Sequence, residues 1–339
     1  MRRDPSADKF CMSRHSIIVI LKVVVSLGLL IYFFSRIDVA AFLRAVADAR
    51  PSYFIIGVLA YLAGQVIKCY RWVLLARPLG FALPFTEYLS YYLMGMFFNL
   101  FAPGMVGGDV GRVFYLARGS VQGDEKNWKT RAAAATVSVV VDRAIGMAVL
   151  VWIAAAALVA FPEYAFPPAI RYSIMALALG SVVAWMLLPA IDRFMRRGGR
   201  RHGRQLLAEA ARYCSQGKLL VLTVLLSLLV HSIQAGIQLL LGYTLHLDLP
   251  WSYCFILYPL VDLITALPVS LNGIGLREGG YLFMLDRIDV GSERAIAFGL
   301  LWFFTAAVNA LIGGVVFVLR KGTKSPALDL SVDGTRTSE

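Results

Sequence analysis

Long apolar runs alternate with short polar stretches along almost the whole chain, and most runs exceed what a water-soluble core uses. Residues 17–34, 53–75, 136–161, 169–188, 219–241 and 295–319 each read as a helix able to cross a bilayer. The first, about 27 Å long as a helix, is just sufficient. A small-x-small site, Ala47-Asp48-Ala49, lies too far beyond it for signal cleavage, so it reads as an uncleaved span. Residues 36–50 form an amphipathic interfacial stretch. The basic residues 1–16 and the polar tail 320–339 read as disordered.

Two further apolar runs, about 88–112 and 253–277, are broken by Gly/Pro-rich motifs. The first motif carries Pro103, Gly107, Gly108, Asp109 and Arg112; the second carries Pro268, Asn272, Gly273, Gly275, Arg277 and Glu278. In both, a glycine falls five residues after the proline and an arginine nine after it. Neither sequence continues a helix, and broken backbone survives at membrane depth only beside protein or a water-filled cavity. Matched interruptions in two halves of a membrane protein point to a binding site between internal repeats.

Loop charge sets the topology. If every run crossed fully from an internal N-terminus, loops 109–135 and 193–218, with five and eight Lys or Arg, would both lie outside. That contradicts the positive-inside rule. Letting 88–112 dip in and return to the cytoplasmic side corrects both loops. Letting 253–277 do the same from outside returns the tail inside, although the charge balance hardly separates this from a full span there. The expected architecture is an all-α polytopic membrane protein, one transmembrane domain over 17–319, with about six full spans and two re-entrant hairpins. The hairpins would enter from opposite faces, as in an inverted repeat. Both termini are expected in the cytoplasm and the protein in the cytoplasmic membrane.

Composition agrees: 59% of the 339 residues are hydrophobic and 16% charged. The formal charge of +12 sits in short loops, where it suits anionic lipid headgroups rather than nucleic acid. The four cysteines are scattered, with no CxxC and no His at ligand spacing, so neither metal nor cofactor is expected.

The first motif with Tyr115-Leu116, the Val141-Asp142-Arg143 inside a later span, and the second motif through Gly279 together resemble the lysylphosphatidylglycerol synthetase transmembrane region. This flippase-like family also occurs as stand-alone membrane proteins. The resemblance runs from about Ile17 to Arg320 and implies lipid movement across the membrane, not aminoacyl transfer, since no soluble transferase sequence follows. The resemblance leaves the lipid unnamed; a phospholipid or a polyprenyl-phosphate-linked lipid is expected. The competing readings are a non-catalytic membrane partner of a lipid-modifying enzyme and, behind it, an integral-membrane lipid transferase. The chain shows no HExxH, GxSxG or His/Asp cluster of the kind an enzyme would need.

A lipid translocator must hold a phosphate in a low-dielectric groove, which suits arginine and glycine-turn amides. Arg112 and Arg277 fit that need, with Asp109, Glu278, Asn99, Gly107, Gly108, Asn272, Gly273 and Gly275 around them. Against this, each arginine would merely pair with its neighbouring acid, Asp109 or Glu278. Asp142 and Arg143, inside a span, must pair or face a cavity. A polar path is expected from Lys68, Gln65, His231, Gln234, Gln238, Asp262 and Asn309, with Asp262 a candidate proton carrier. Interhelical hydrogen bonding is the plainer account of the His/Gln stripe and of Asn309. Arg71, near the end of its span, is expected to snorkel to the surface, and snorkelling is the alternative for Lys68.

Overall fold

The computed structural model describes residues 43–44, 47–101, 106–119, 128–197, 217–267, 270 and 273–321. The expected first span, residues 17–34, lies outside them, as do Pro103, Pro268, Asn272 and the C-terminal tail beyond Lys321. Among the described residues the secondary structure is helical. Nine α-helices follow in order: α1 Pro51–Ala76, α2 Phe85–Phe101, α3 Val106–Gly119, α4 Trp128–Ala160, α5 Pro168–Arg197, α6 Gly217–Thr244, α7 Trp251–Thr265, α8 Leu276–Leu285 and α9 Ser292–Lys321. Five stretches, Pro51–Leu79, Trp128–Ala160, Pro168–Leu187, Gly217–Thr244 and Ser292–Arg320, are long and apolar enough to cross a membrane. Their outward faces carry large apolar side chains such as Leu59, Leu179, Met186 and Val318. With the described elements all helical, this is a polytopic α-helical membrane protein.

The remaining four helices pair into two hairpins. Asn99 accepts a hydrogen bond from the Gly108 amide at 2.7 Å, Phe98 packs on Gly111, and Tyr91 stacks on Tyr115 at 5.6 Å. These contacts run α2 and α3 antiparallel, so Gly119 returns to the level of Leu83 and Tyr91. A Cβ at Gly108 would overlap the carbonyl oxygen of Gly95, so only glycine permits this approach. In the second hairpin Gly273 meets Thr265, Gly280 meets Val261, and the Tyr253 hydroxyl donates to the Met284 carbonyl. At 1.5 Å per residue, α2 and α7 reach about 25 Å and about 22 Å, short of a hydrocarbon core of roughly 30 Å.

The hairpins enter from opposite ends. Helices α1 and α6 are antiparallel: the Arg50 amide meets the Thr244 carbonyl at 2.9 Å, while Arg71 meets Ser227 near the other end. The first hairpin begins beyond the Ala76 end of α1, and Arg320 at the end of α9 pairs with Glu87 at its base. The second begins beyond Thr244, with Trp251 against Phe161 at the end of α4. Each half is thus a span, a hairpin and a span, α1–α2/α3–α4 and α6–α7/α8–α9, running in opposite directions. Helix α5 packs on α4 at the periphery. Two large apolar cores result among the described residues, one under the first hairpin around Trp72 and Tyr88, the other around α4, α6 and the second hairpin, with a small third cluster of Leu75, Val137 and Ile145.

Candidate functional site

A chain of charges, buried at Arg71, Asp142 and Arg112 and partly exposed at Asp109 and Arg143, ties the first half together and reaches α6. Arg71 donates from Nε to Asp142 Oδ1 at 2.8 Å, from Nη2 to the Asp142 carbonyl at 3.0 Å and from Nη1 to Ser227 Oγ at 2.6 Å. The other Asp142 oxygen lies 3.5 Å from Arg112 Nη2. Asp109, one turn before Arg112 on α3, reaches Arg112 Nη1 at 3.4 Å and Arg143 Nε at 2.6 Å. The guanidinium of Arg112 lies between two rings, 4.2 Å from the Trp72 centroid and 4.4 Å from Tyr92. Trp72 is itself fixed by donation to Ser138 Oγ at 3.1 Å. The charges therefore alternate from Arg71 through Asp142, Arg112 and Asp109 to Arg143, linking α1, α3 and α4, with Ser227 tying Arg71 to α6.

The tips of the two hairpins meet around one cavity of about 250 Å3. Asn99, Leu100 and Arg112 line it from the first hairpin, and Asp262, Thr265, Ala266 and Arg277 from the second. Spans α1, α4, α6 and α9 complete the wall with Gln65, Lys68, Asp142, Arg143, His231, Gln234 and the apolar Met147, Trp302, Phe303, Ala306 and Ala310. The charged lining is Lys68, Arg71, Arg112, Arg143 and Arg277 against Asp142 and Asp262, a positive excess. Asp142 is already engaged by two of those arginines. In a low-dielectric surround such an excess favours an anion.

A sequence model of the lysylphosphatidylglycerol synthase transmembrane region matches residues 19–314, most of the chain. The chain belongs to that family. It is also similar to the UPF0104 membrane protein MJ1595 of Methanocaldococcus jannaschii, with 25% identity over 111 residues. That match spans 32% of this chain and 32% of the archaeal protein, so the chain aligns with about a third of its relative.

In this member of the lysylphosphatidylglycerol synthase transmembrane family, the residues singled out from sequence divide into two sets. Arg112, Arg277, Asn99, Asp142, Arg143, Lys68, Gln65, His231, Gln234 and Asp262 face the cavity. Asp109, Glu278, Gly107, Gly108, Gly273, Gly275, Gln238 and Asn309 do not line it, and Asn272 is outside the described residues. The two acids beside the arginines serve differently. Asp109 bridges Arg112 and Arg143, whereas Glu278 accepts the Gly275 amide at 2.6 Å and closes the first turn of α8. Gly275 makes that turn at a φ of 83°, a conformation costly for any other residue. Asn309 donates to the Val58 and Thr305 carbonyls and so joins α9 to α1.

Sequence reasoning missed several cavity residues. Arg71 is not at the surface: it is buried and holds Asp142, because a partner on another helix removes the need to reach water. Tyr61, Tyr92, Tyr258 and Trp302 also line the cavity. His231 has both ring nitrogens in use, Nε2 at 3.0 Å from the Gly146 carbonyl and Nδ1 at 3.0 Å from the Tyr258 hydroxyl. Since a carbonyl only accepts, Nε2 carries the proton and Nδ1 accepts from Tyr258.

Proposed function

We propose that this protein carries a lipid with a phosphate-bearing headgroup, a phospholipid or a polyprenyl-phosphate-linked lipid, across the cytoplasmic membrane. One observation carries the reading: cations from both opposed hairpins and from the spans between them face a single cavity at the hairpin tips. Lys68, Arg143 and Arg277 with Arg112 supply the positive field, while Met96, Leu100, Met147 and Ala306 give the same cavity an apolar side for the beginning of the acyl or prenyl chain. Asn99, Gly108, Gly273 and Gly275 hold the hairpin tips that present these groups. The family's occurrence as the membrane part of aminoacyl-phosphatidylglycerol synthases supports a lipid as cargo. Opposed hairpins meeting at mid-depth are the arrangement by which inverted repeats expose one site to each side in turn.

The test is translocation of a fluorescent anionic phospholipid by purified protein in proteoliposomes, with folding checked by thermal melting. A hydrogen bond to a charged group is worth about 1.5–3 kcal/mol, so Arg277→Ala and Lys68→Ala should each slow transport roughly ten- to a hundred-fold. Arg277→Lys should be nearly as impaired as Arg277→Ala, because an ammonium lacks the planar fork. Well-folded Lys68→Ala and Arg277→Ala proteins that transport at the normal rate would end this reading.

A further inference from the structure

Most carboxylates inside the bundle have an evident task. Asp142 holds Arg71 and Arg112, Asp109 holds Arg112 and Arg143, and Glu278 caps α8. Asp262 is different. It lies in the last turn of α7, at the tip of the second hairpin, and lines the cavity. Among the described residues its carboxylate makes no hydrogen bond and no ion pair within 4 Å. The cationic fields that reach it are those of Lys68, Arg277 and Arg143.

The other titratable or charged groups facing Asp262 are committed elsewhere. Arg71 and Arg112 from α1 and α3, with Asp142 from α4, belong to the buried chain of charges. His231 of α6 has both nitrogens used. Tyr61 of α1, Tyr258 of α7 and Tyr281 of α8 are phenols, which stay protonated near neutral pH. Glu278 of α8 is held by the Gly275 amide. Asp262 is therefore the carboxylate that can change its charge without breaking a pair the fold depends on, and it sits where an incoming anion must compete with it.

We infer that Asp262 is a proton carrier, and that the headgroup and a proton share the cavity as cargo. The inference rests on the phosphate-lipid reading above. Before a headgroup enters, the ionised carboxylate balances the fields of Lys68 and Arg277 without direct contact. A phosphodiester entering takes over those cations, and an anion placed beside a carboxylate favours its protonated form. One proton then bonds to an Asp262 oxygen as one singly charged phosphodiester enters. Both leave on the far side, no covalent bond of the lipid is altered, and no net charge crosses. Movement is thus driven by a pH difference and indifferent to membrane potential. Each unit of pH difference sustains about tenfold accumulation of the lipid in the leaflet on the alkaline side.

Two measurements on the full chain test this. In proteoliposomes with a fluorescent-tail phosphatidylglycerol, the native protein should accumulate probe about tenfold across a gradient of ~1 pH unit. Asp262→Asn should only equilibrate the probe between leaflets, and Asp262→Glu should restore accumulation. In detergent, binding of glycerophosphoglycerol, a phosphodiester that does not itself titrate near neutrality, should take up about one proton in the native protein and none in Asp262→Asn. The count comes from calorimetry in two buffers of different ionisation enthalpy. Translocation that ignores the pH gradient, or binding without proton uptake, overturns the coupling and leaves the transport reading standing. A native protein that neither binds nor moves these probes overturns both. Should Asp262→Asn fail to fold, the proton count on the native protein still decides.

Discussion

At the scale of single residues, paired burial separates the charges that hold the fold from those proposed to meet a headgroup. Asp142 is 3% exposed and is shared by two arginines that are themselves 5% exposed. Charges this deep are tolerated because each is matched, and removing one partner leaves another uncompensated at a cost of about 3–5 kcal/mol. Asp142→Ala should therefore lower the melting temperature sharply and reduce yield, and a second change, Arg71→Met, should recover part of the loss. Lys68 behaves oppositely. It faces the cavity with no hydrogen bond or ion pair among the described residues, so Lys68→Ala should melt like the native protein while losing transport. A Lys68→Ala protein that fails to fold would move this lysine from the cargo set to the structural one.

At the scale of elements, the hairpins depend on backbone contact. Gly108 touches the Gly95 carbonyl within the first hairpin, and Gly313 of α9 touches the Leu93 carbonyl of α2, so that hairpin is held on two sides by glycine. Overpacking such a contact costs about 1–3 kcal/mol. Gly108→Ala should lower the melting temperature and also impair transport, because Arg112 follows Gly108 by one helical turn and moves with it. Normal melting and normal transport in Gly108→Ala would show that the hairpin does not set the site. The interruption of these helices is legible in sequence because Gly and Pro act locally. Which acid pairs with which arginine is not, since Arg71 and Asp142 stand 71 positions apart. Surface snorkelling and buried pairing both suit an arginine near the end of a span, as Arg71 is. Glu278 carried a local signal, three residues after the Gly275 turn, but a neighbouring arginine made an ion pair look equally natural. Asp262 is visible as an acid in apolar sequence; that it shares one cavity with Lys68 needs the fold.

At the scale of the whole molecule, helix contacts fix which chain segments share an end, and the charge at each end predicts its side of the membrane. Arg77, Arg118, Lys129, Arg131, Lys218 and Arg320 gather at the base of the first hairpin, where Glu87 is the acid paired with Arg320. The opposite end mixes Arg50, Arg171, Arg287 and Arg294 with Asp48, Glu163, Asp248, Asp286, Asp289 and Glu293. The positive-inside rule then predicts that the base of the first hairpin faces the cytoplasm. Single cysteines at Lys129 and Lys218, in a background with the four native cysteines replaced by Ser, should react only with a reagent that enters the cell. Cysteines at Glu163 and Asp248 should react with an impermeant reagent applied outside. The discriminating position is Lys129. A continuous crossing through residues 85–119 would place it on the opposite side from Arg77, whereas a hairpin returns it to the same side. Cysteines at Arg77 and Lys129 labelled from different sides would therefore dissolve the opposed-hairpin architecture, and with it the reason for Arg112 and Arg277 to meet at one cavity.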